Sequence, residues 1–280
     1  MKTSNKLLIV LALLLIIVPI IAIAINIKIN YKYVVHEDYI SKQEINNEPF
    51  NKKSAQRMAI PISKPFDYVN VYDAKNLRLE IHLNNSDVSG IKIPEYAKDY
   101  FNFDVDDKGI LNITIKGNPY SGNQIPISIY APKFKKINVS NSDLLVVTAT
   151  SDSLEANMSK VQSFSLSGGI TTNDNRGNVI RTVNDTKIGK LTINLINSNF
   201  SSDGHSYQDL IINTKGVSQI GLNGDENAKD RYSIKNLSVN TTDTAEVVIN
   251  NININNLSGK ISDHTKIQAP VANLKQLFKN

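Results

Sequence analysis

The stretch "LTINLINSNF", residues 191–200, decides the reading of this chain, because its first four letters return as a beat. "LEAN" at 154, "ITTN" at 170, "LIIN" at 210 and "LSVN" at 237 repeat one register: an aliphatic residue, a spacer, a usually small or aliphatic residue, then Asn. Repeat starts fall at Ile137, Leu154, Ile170, Leu191, Leu210, Leu237 and Leu257, in steps of 17, 16, 21, 19, 27 and 20 residues. A second short run follows each start, as in "LLVVTAT", "VQSFSLSG", "SQIGLNG" and "AEVVIN". Strands this short cannot bury a face alone, so successive repeats must stack on one another. In such a stack the first and third residues of "LTIN" point inward onto the equivalent pair one coil away, about 4.8 Å along the axis. The Asn is expected where the strand turns, hydrogen-bonded to neighbouring backbone or to the Asn of the next coil. Uneven steps suit a solenoid, whose insertions leave as loops without disturbing the stack, and the step of 27 carries one, "NGDENAKDRYS". Leucine-rich repeats need an L-x-x-L-x-L-x-x-N spacing that is absent here. A two-sheet sandwich of the same short strands is the structural alternative.

Upstream of the repeats, "YVNVYDA", "LRLEIHL", "FNFDV", "ILNITIKG" and "IPISIYAP" alternate apolar and polar residues between Asn, Asp, Gly and Pro. Residues 66–131 therefore read as the N-terminal strands of a β domain over 65–280. Asp106-Asp107-Lys108-Gly109 reads as a hairpin turn, with Gly available for positive φ.

The other end is different in kind. Leu7 to Ile25 is an uncharged apolar run of 19 residues behind Lys2 and Lys6, about 28 Å long as a helix and close to a bilayer's hydrocarbon core. Two readings stand: an uncleaved transmembrane anchor within residues 1–35, and a signal peptide cleaved after Ala22-Ile23-Ala24. Length and the Tyr-flanked "INIKINYKYVV" that follows favour the anchor. Residues 36–64 read as a juxtamembrane linker. Both readings export the domain, as a single-pass membrane protein or, if residues 1–24 are removed, as a secreted one.

The net charge of +5 resides at the membrane end: residues 1–60 hold eight Lys/Arg against four acids, leaving 23 against 22 in residues 61–280. A nearly neutral domain has no electrostatic footprint for phosphate backbones, so nucleic acid is not an expected partner. With no cysteine, disulfide scaffolds, thiolate metal sites and Cys nucleophiles are excluded. His36, His82, His205 and His264 stand apart in sequence, without metal-ligand spacing. Asp104, Asp106, Asp107 and Gly109 resemble the start of a calcium loop, but Lys108 occupies a ligand position and Ile115 stands where the bidentate Glu belongs. Asn173, Asn175 and Gly177 echo that pattern more weakly. The richest cluster is Asp225, Glu226, Lys229, Asp230 and Arg231 in "GDENAKDRY", a candidate ligand-contact loop for a charged sugar whose plainer reading is a solvated insertion. No catalytic constellation, cofactor motif or metal site emerges.

At "IPISIYAPKFKKINVSNSDLLVV" the chain resembles a family of exported bacterial proteins named "putative auto-transporter adhesin, head GIN domain". The opening "FDYVNVYDAKNLRLEIHL", the middle "DDKGILNITIKG" and the pattern Y-x-P-x-F-x-x-I-x-V-S from Tyr130 to Ser140 carry the resemblance, over about residues 65–275. Asn141-Ser142 stands where the family shows Ser-Gly. The resemblance implies an envelope β-solenoid of Bacteroidetes-type bacteria, a right-handed coil, and adhesion, and transfers no functional residue. The expectation is thus an all-β fold, a right-handed parallel β-helix behind an N-terminal transmembrane helix. Its expected role is a non-catalytic surface for carbohydrate or envelope protein. The alternatives are a polysaccharide-active enzyme using the loop at Asp225 to Arg231, and a sensor or scaffold domain.

Overall fold

The computed structural model describes residues 3–30, 47–117, 124–167, 170–173, 179–183, 186–226 and 231–279. The chain divides into two units, Met1–Lys42 and Gln43–Asn280. In the first, α1 (Thr3–Asn30) is a single helix with Pro19 inside it, and its stretch Thr3–Ile25 is long and apolar enough to cross a membrane. Leu11, Leu13, Ile16 and Ile20 are all exposed, so the helix lacks the polar face of a water-facing surface helix.

The second unit is mostly β. Its first half contains β1 (Arg57–Pro61), β2 (Tyr68–Val71), β3 (Arg78–Asn85), β4 (Gly90–Pro94), β5 (Phe101–Val105), β6 (Ile110–Ile115) and β7 (Ile125–Ala131). Next come β8 (Lys136–Leu166), β9 (Ile170–Asn173), β10 (Val179–Val183), β11 (Lys187–Ile196), β12 (Phe200–Asp203) and β13 (Tyr207–Lys215). The last elements are β14 (Ser218–Asn223), β15 (Ser233–Thr241), β16 (Ala245–Asn250), β17 (Asn253–Ser258), β18 (Thr265–Gln268) and α2 (Val271–Leu277).

The 31 residues of β8 do not run straight. The strand bends at Asn141 and Lys160, whose φ angles are +56° and +54°, and it meets β2, β3, β11 and β12 in turn. Two parallel ladders grow from it. One runs β8–β11–β13–β15–β17 and the other β8–β12–β14–β16–β18. Both feed one core, in which Leu191, Ile193, Leu210, Ile212, Phe200 and Ile220 are at most 2% exposed. Alternation thus places residues one and three of the beat inside, as expected.

The register matches five of the expected starts: Leu154, Leu191, Leu210, Leu237 and Leu257 stand in line, and so do Asn157, Asn194, Asn213 and Asn240. Two expected starts are displaced. Leu154 is followed in its ladder directly by Leu191, while "ITTN" at 170 forms β9, paired antiparallel with β10 in a separate two-stranded sheet. Ile137 also misses its expected place, because Asn138, the next residue, stacks on Asn157 and Glu155 N donates to Lys135 O.

The Asn of the beat lies within the strand rather than where it turns. Its amide reaches along the stack: Asn157 Nδ2 donates to Asn138 Oδ1 at 2.7 Å, Asn194 to Asn157 at 2.6 Å, Asn213 to Asn194 at 2.8 Å and Asn240 to Asn213 at 2.9 Å. Asn70 likewise donates to Asn112, and Asn112 to the Asp106 carboxylate at 3.4 Å. Shorter columns run Asn256–Asn236–Asp209 and Asn250–Asn223–Asp203. An ionised carboxylate only accepts, so an aspartate at the foot of a column fixes the orientation of every amide above it. The turning position, three residues after the beat's Asn, is held by Lys160, Asn197 and Gly216, all at positive φ.

The expected uniform parallel coil from residue 65 is not what the whole unit forms, for the sheet is mixed. Antiparallel pairs β1/β4, β4/β7 and β5/β6 all lie between residues 57 and 131. The turn at Asp106–Gly109 is short, and strands joined by a tight turn can only run antiparallel. Residues 47–61, expected in the linker, belong to the folded unit. Buried Lys92 on β4 sits 2.9 Å from the Glu48 carboxylate and donates to the carbonyls of Pro49 and Lys52. The Tyr130 hydroxyl donates to Glu48 O, and Phe50 packs edge-on against the Tyr130 ring in space that a Cβ on Gly90 would fill. At the opposite end α2 closes the stack: Gln276 accepts from Leu257 N of β17 and donates to Asn255 O.

Candidate functional site

The loop predicted to carry ligand contacts is divided by the structure. Arg231 Nη1 is 3.2 Å from Asp225 Oδ2, and its guanidinium lies 6.0 Å from the centre of the Tyr232 ring. Glu226 is exposed, and Lys229 and Asp230 lie outside the described residues. The acid and base expected to act jointly on a ligand are therefore partly engaged with each other. Arg231 and Tyr232 nonetheless border a cleft of about 990 Å³ whose other walls no local motif announced.

Most of the walls are corners that precede strands of the first ladder, joined by Asn85 at the end of β3. The turn 132–135 leads into β8, residues 150–153 are the part of β8 that pairs with the start of β11, 186–189 start β11, 204–206 lead into β13, and 231–232 lead into β15. Because the strands stack in register, corners far apart in sequence line up along one edge. Gly204, at φ +70°, makes the turn before β13 with little room beside the Tyr232 ring.

Four cations border the cleft, in two states. Lys135 is held by Asp67 at 2.6 Å, which raises its pKa, and Arg231 is held by Asp225. Lys133 and Lys187 are exposed and make no ion pair among the described residues, and exposed Asp152 is the carboxylate among the lining residues. Deeper, two side chains are more than nine-tenths buried with a polar atom unused: among the described residues, Thr186 Oγ1 and His205 Nδ1 have no hydrogen-bond partner. His205 Nε2 lies 3.0 Å from the Ser167 carbonyl, which only accepts, so the proton of the neutral ring is on Nε2 and Nδ1 carries a lone pair. Burial pushes the pKa of this histidine down, against the opposing pull of the Ser167 carbonyl, the Asp203 carboxylate charge and the Asp203 carbonyl. The Asp203 carbonyl is near enough to favour protonation without making a hydrogen bond to the neutral ring.

The remaining candidates have structural occupations. Asp106 Oδ1 accepts from the backbone N–H of Lys108 and Ile110 and its pKa is lowered, chiefly by the Ile110 bond; Gly109 follows at φ +74°, so this is a hairpin turn. Asp107 meets Lys64, and Asp104 stands opposite Asn112 in the β5/β6 pair. His82 is fully buried, 3.0 Å from Glu80, and His264 is exposed. His36, Asn175 and Gly177 lie outside the described residues, and Asn173 ends β9. Among the described residues no three His, Asp or Glu side chains come close enough to hold a metal ion.

No family model matches this chain, and neither does any curated protein. Solved structures do. The chain is similar to a "putative adhesin" from Bacteroides fragilis at 13% identity, over 76% of this chain and 97% of that one, with a TM-score of 0.43. A "putative adhesin" from Parabacteroides merdae matches at 14% identity over 76% and 90%, with a TM-score of 0.37. A "putative lipid binding protein" from Parabacteroides distasonis matches at 14% over 77% and 94%, with a TM-score of 0.39.

Proposed function

We propose that this protein is a membrane-tethered, right-handed parallel β-helix of the head GIN type, acting at the cell envelope as a non-catalytic surface that binds carbohydrate or protein. The observation that carries the reading is the cleft at the aligned corners, which gathers uncommitted lysines and unused buried polar atoms from three separate segments, at Lys133, at Thr186 and Lys187, and at His205. A stack held in register by its core and by its amide columns keeps such a surface rigid, so little ordering cost falls on binding. The apolar helix Thr3–Ile25 supplies the tether.

The test presents the full chain in nanodiscs to a panel of envelope and environmental polysaccharides and to envelope protein extracts, recording retention and new chain ends together. Retention without new ends is expected. New ends that vanish in Arg231→Ala overturn the reading in favour of a polysaccharide-active enzyme, and failure to retain any glycan or protein removes the interaction surface.

A further inference from the structure

We propose that the cleft is a binding site for an acidic oligosaccharide, a chain of sugar rings carrying carboxylate groups. The proposal rests on the interaction-surface reading above and names its ligand class. Two buried atoms set the first requirement. Thr186 is 5% exposed and His205 7%, and their unpartnered atoms are closed off from water, so a ligand group reaches them only as the cleft wall shifts, and a hydroxyl asks the smallest shift. Nδ1 of His205 needs a donor, and the Thr186 hydroxyl offers both a donor and an acceptor. A sugar hydroxyl is donor and acceptor at once and satisfies either. A buried polar atom left without a partner is costly, so a ligand that supplies the missing hydrogen bonds gains from both.

The rim adds the requirement for negative charge. Lys133 and Lys187 are cations without ion-pair partners among the described residues, while Lys135 and Arg231 at the same edge are already paired with Asp67 and Asp225. A neutral saccharide leaves these charges unanswered. A bare polyphosphate answers them but brings no hydroxyl donor to His205, and it meets the exposed Asp152 carboxylate on the same rim. A carboxylated sugar answers both layers, with hydroxyls inward and carboxylates at the rim. The volume of about 990 Å³ suits several rings rather than one.

The experiment titrates the full chain in zwitterionic nanodiscs with oligogalacturonide, with its methyl ester (the same sugar without charge) and with inorganic polyphosphate, reading affinity by calorimetry. Oligogalacturonide is expected to bind at least about tenfold more tightly than the ester, with the preference shrinking as salt is raised. The double variant Lys133→Glu/Lys187→Glu should lose at least about tenfold at low salt. Thr186→Val should lose about three- to tenfold while its melting temperature stays level or rises, because the variant removes a hydroxyl that has no partner in the free protein. Equal binding of the ester, tighter binding of polyphosphate, or affinity unmoved by both variants overturns the proposal. Absence of oligogalacturonide binding, with other glycans or proteins still retained, overturns this ligand class and leaves the interaction surface standing. Absence of any retained glycan or protein overturns both.

Discussion

Residues 47–131 and residues 136–268 share one core but place their polar groups by opposite rules. In the second region the Asn of the aligned beats meets its own kind one strand away in the ladder, so Asn194 lies between Asn157 and Asn213. In the first, apart from the Asn70–Asn112 pair, the buried polar groups find unlike partners from distant segments: Lys92 with Glu48, Tyr130 with the Glu48 carbonyl, Arg57 with Ser128. Repetition makes a hydrogen-bond partner for each residue automatically, at any length. A singular region must bring each pair together individually, and there the buried ion pair of Lys92 and Glu48 does so.

The sharpest way to break the comparison is a charge inside the repeat core. Leu191→Asp replaces a side chain that is 1% exposed and packed between two rungs, and it should cost more than about 4 kcal/mol and abolish cooperative melting. An unchanged melt would remove the register. Next in size is Lys92→Ala, which leaves the Glu48 carboxylate buried without its partner and should cost about 3–5 kcal/mol in a denaturant titration. The double variant Lys92→Met/Glu48→Leu should recover most of that loss, since an apolar pair replaces two desolvated charges. Recovery would show that residues 47–56 dock by shape as well as by charge.

A smaller effect separates the amide columns from the core beneath them. Asn194→Ala deprives Asn213 Nδ2 of its acceptor and Asn157 Oδ1 of its donor at a half-buried site, for an expected loss of about 1–2 kcal/mol by denaturant titration. Asn194→Asp should be worse above the carboxylate pKa range than below it, because the carboxylate faces another acceptor at Asn157. The smallest effect follows pH. Asp209 is held below its ordinary value of 3.8 by the hydrogen bond from Asn236, and Glu155 below 4.5, chiefly by its bond with Lys136. A depressed carboxylate pKa contributes stability that is fully present above the unfolded value and is lost as pH falls through the folded one. Melting temperature should therefore drop below about pH 4, and Asn236→Leu should flatten that acid limb.

The five aligned starts were legible because alternation is local: a strand that shows one face to the core announces it every second residue, and the return of one register announces the stack. The same logic misled at Ile170, where "ITTN" satisfies the pattern yet pairs with β10 as a hairpin. It also misled at Ile137, where the right column is set by Asn138. A four-residue pattern cannot say whether its chain returns to the stack or folds on itself. In the candidate site, Arg231 was legible as a charge in an insertion loop, and its partner Asp225 with it. Lys133, Thr186, Lys187 and His205 were not, since each is an ordinary residue at or just ahead of the start of a strand and no motif joins them. In retrospect the common signal is position: each stands in a corner that leads into a strand of the same ladder.

The sequence by itself determined a membrane-length apolar helix, a β domain, the inward and outward faces of its strands, and the Asn columns, because backbone pleat and helical rise impose fixed periods on side chains. Tertiary structure alone decided which beats are rungs, where Glu48 finds Lys92, and which corners share a cleft. Those depend on where the chain comes back to itself, and that is set by corner residues at positive φ and by insertion lengths rather than by any period along the chain.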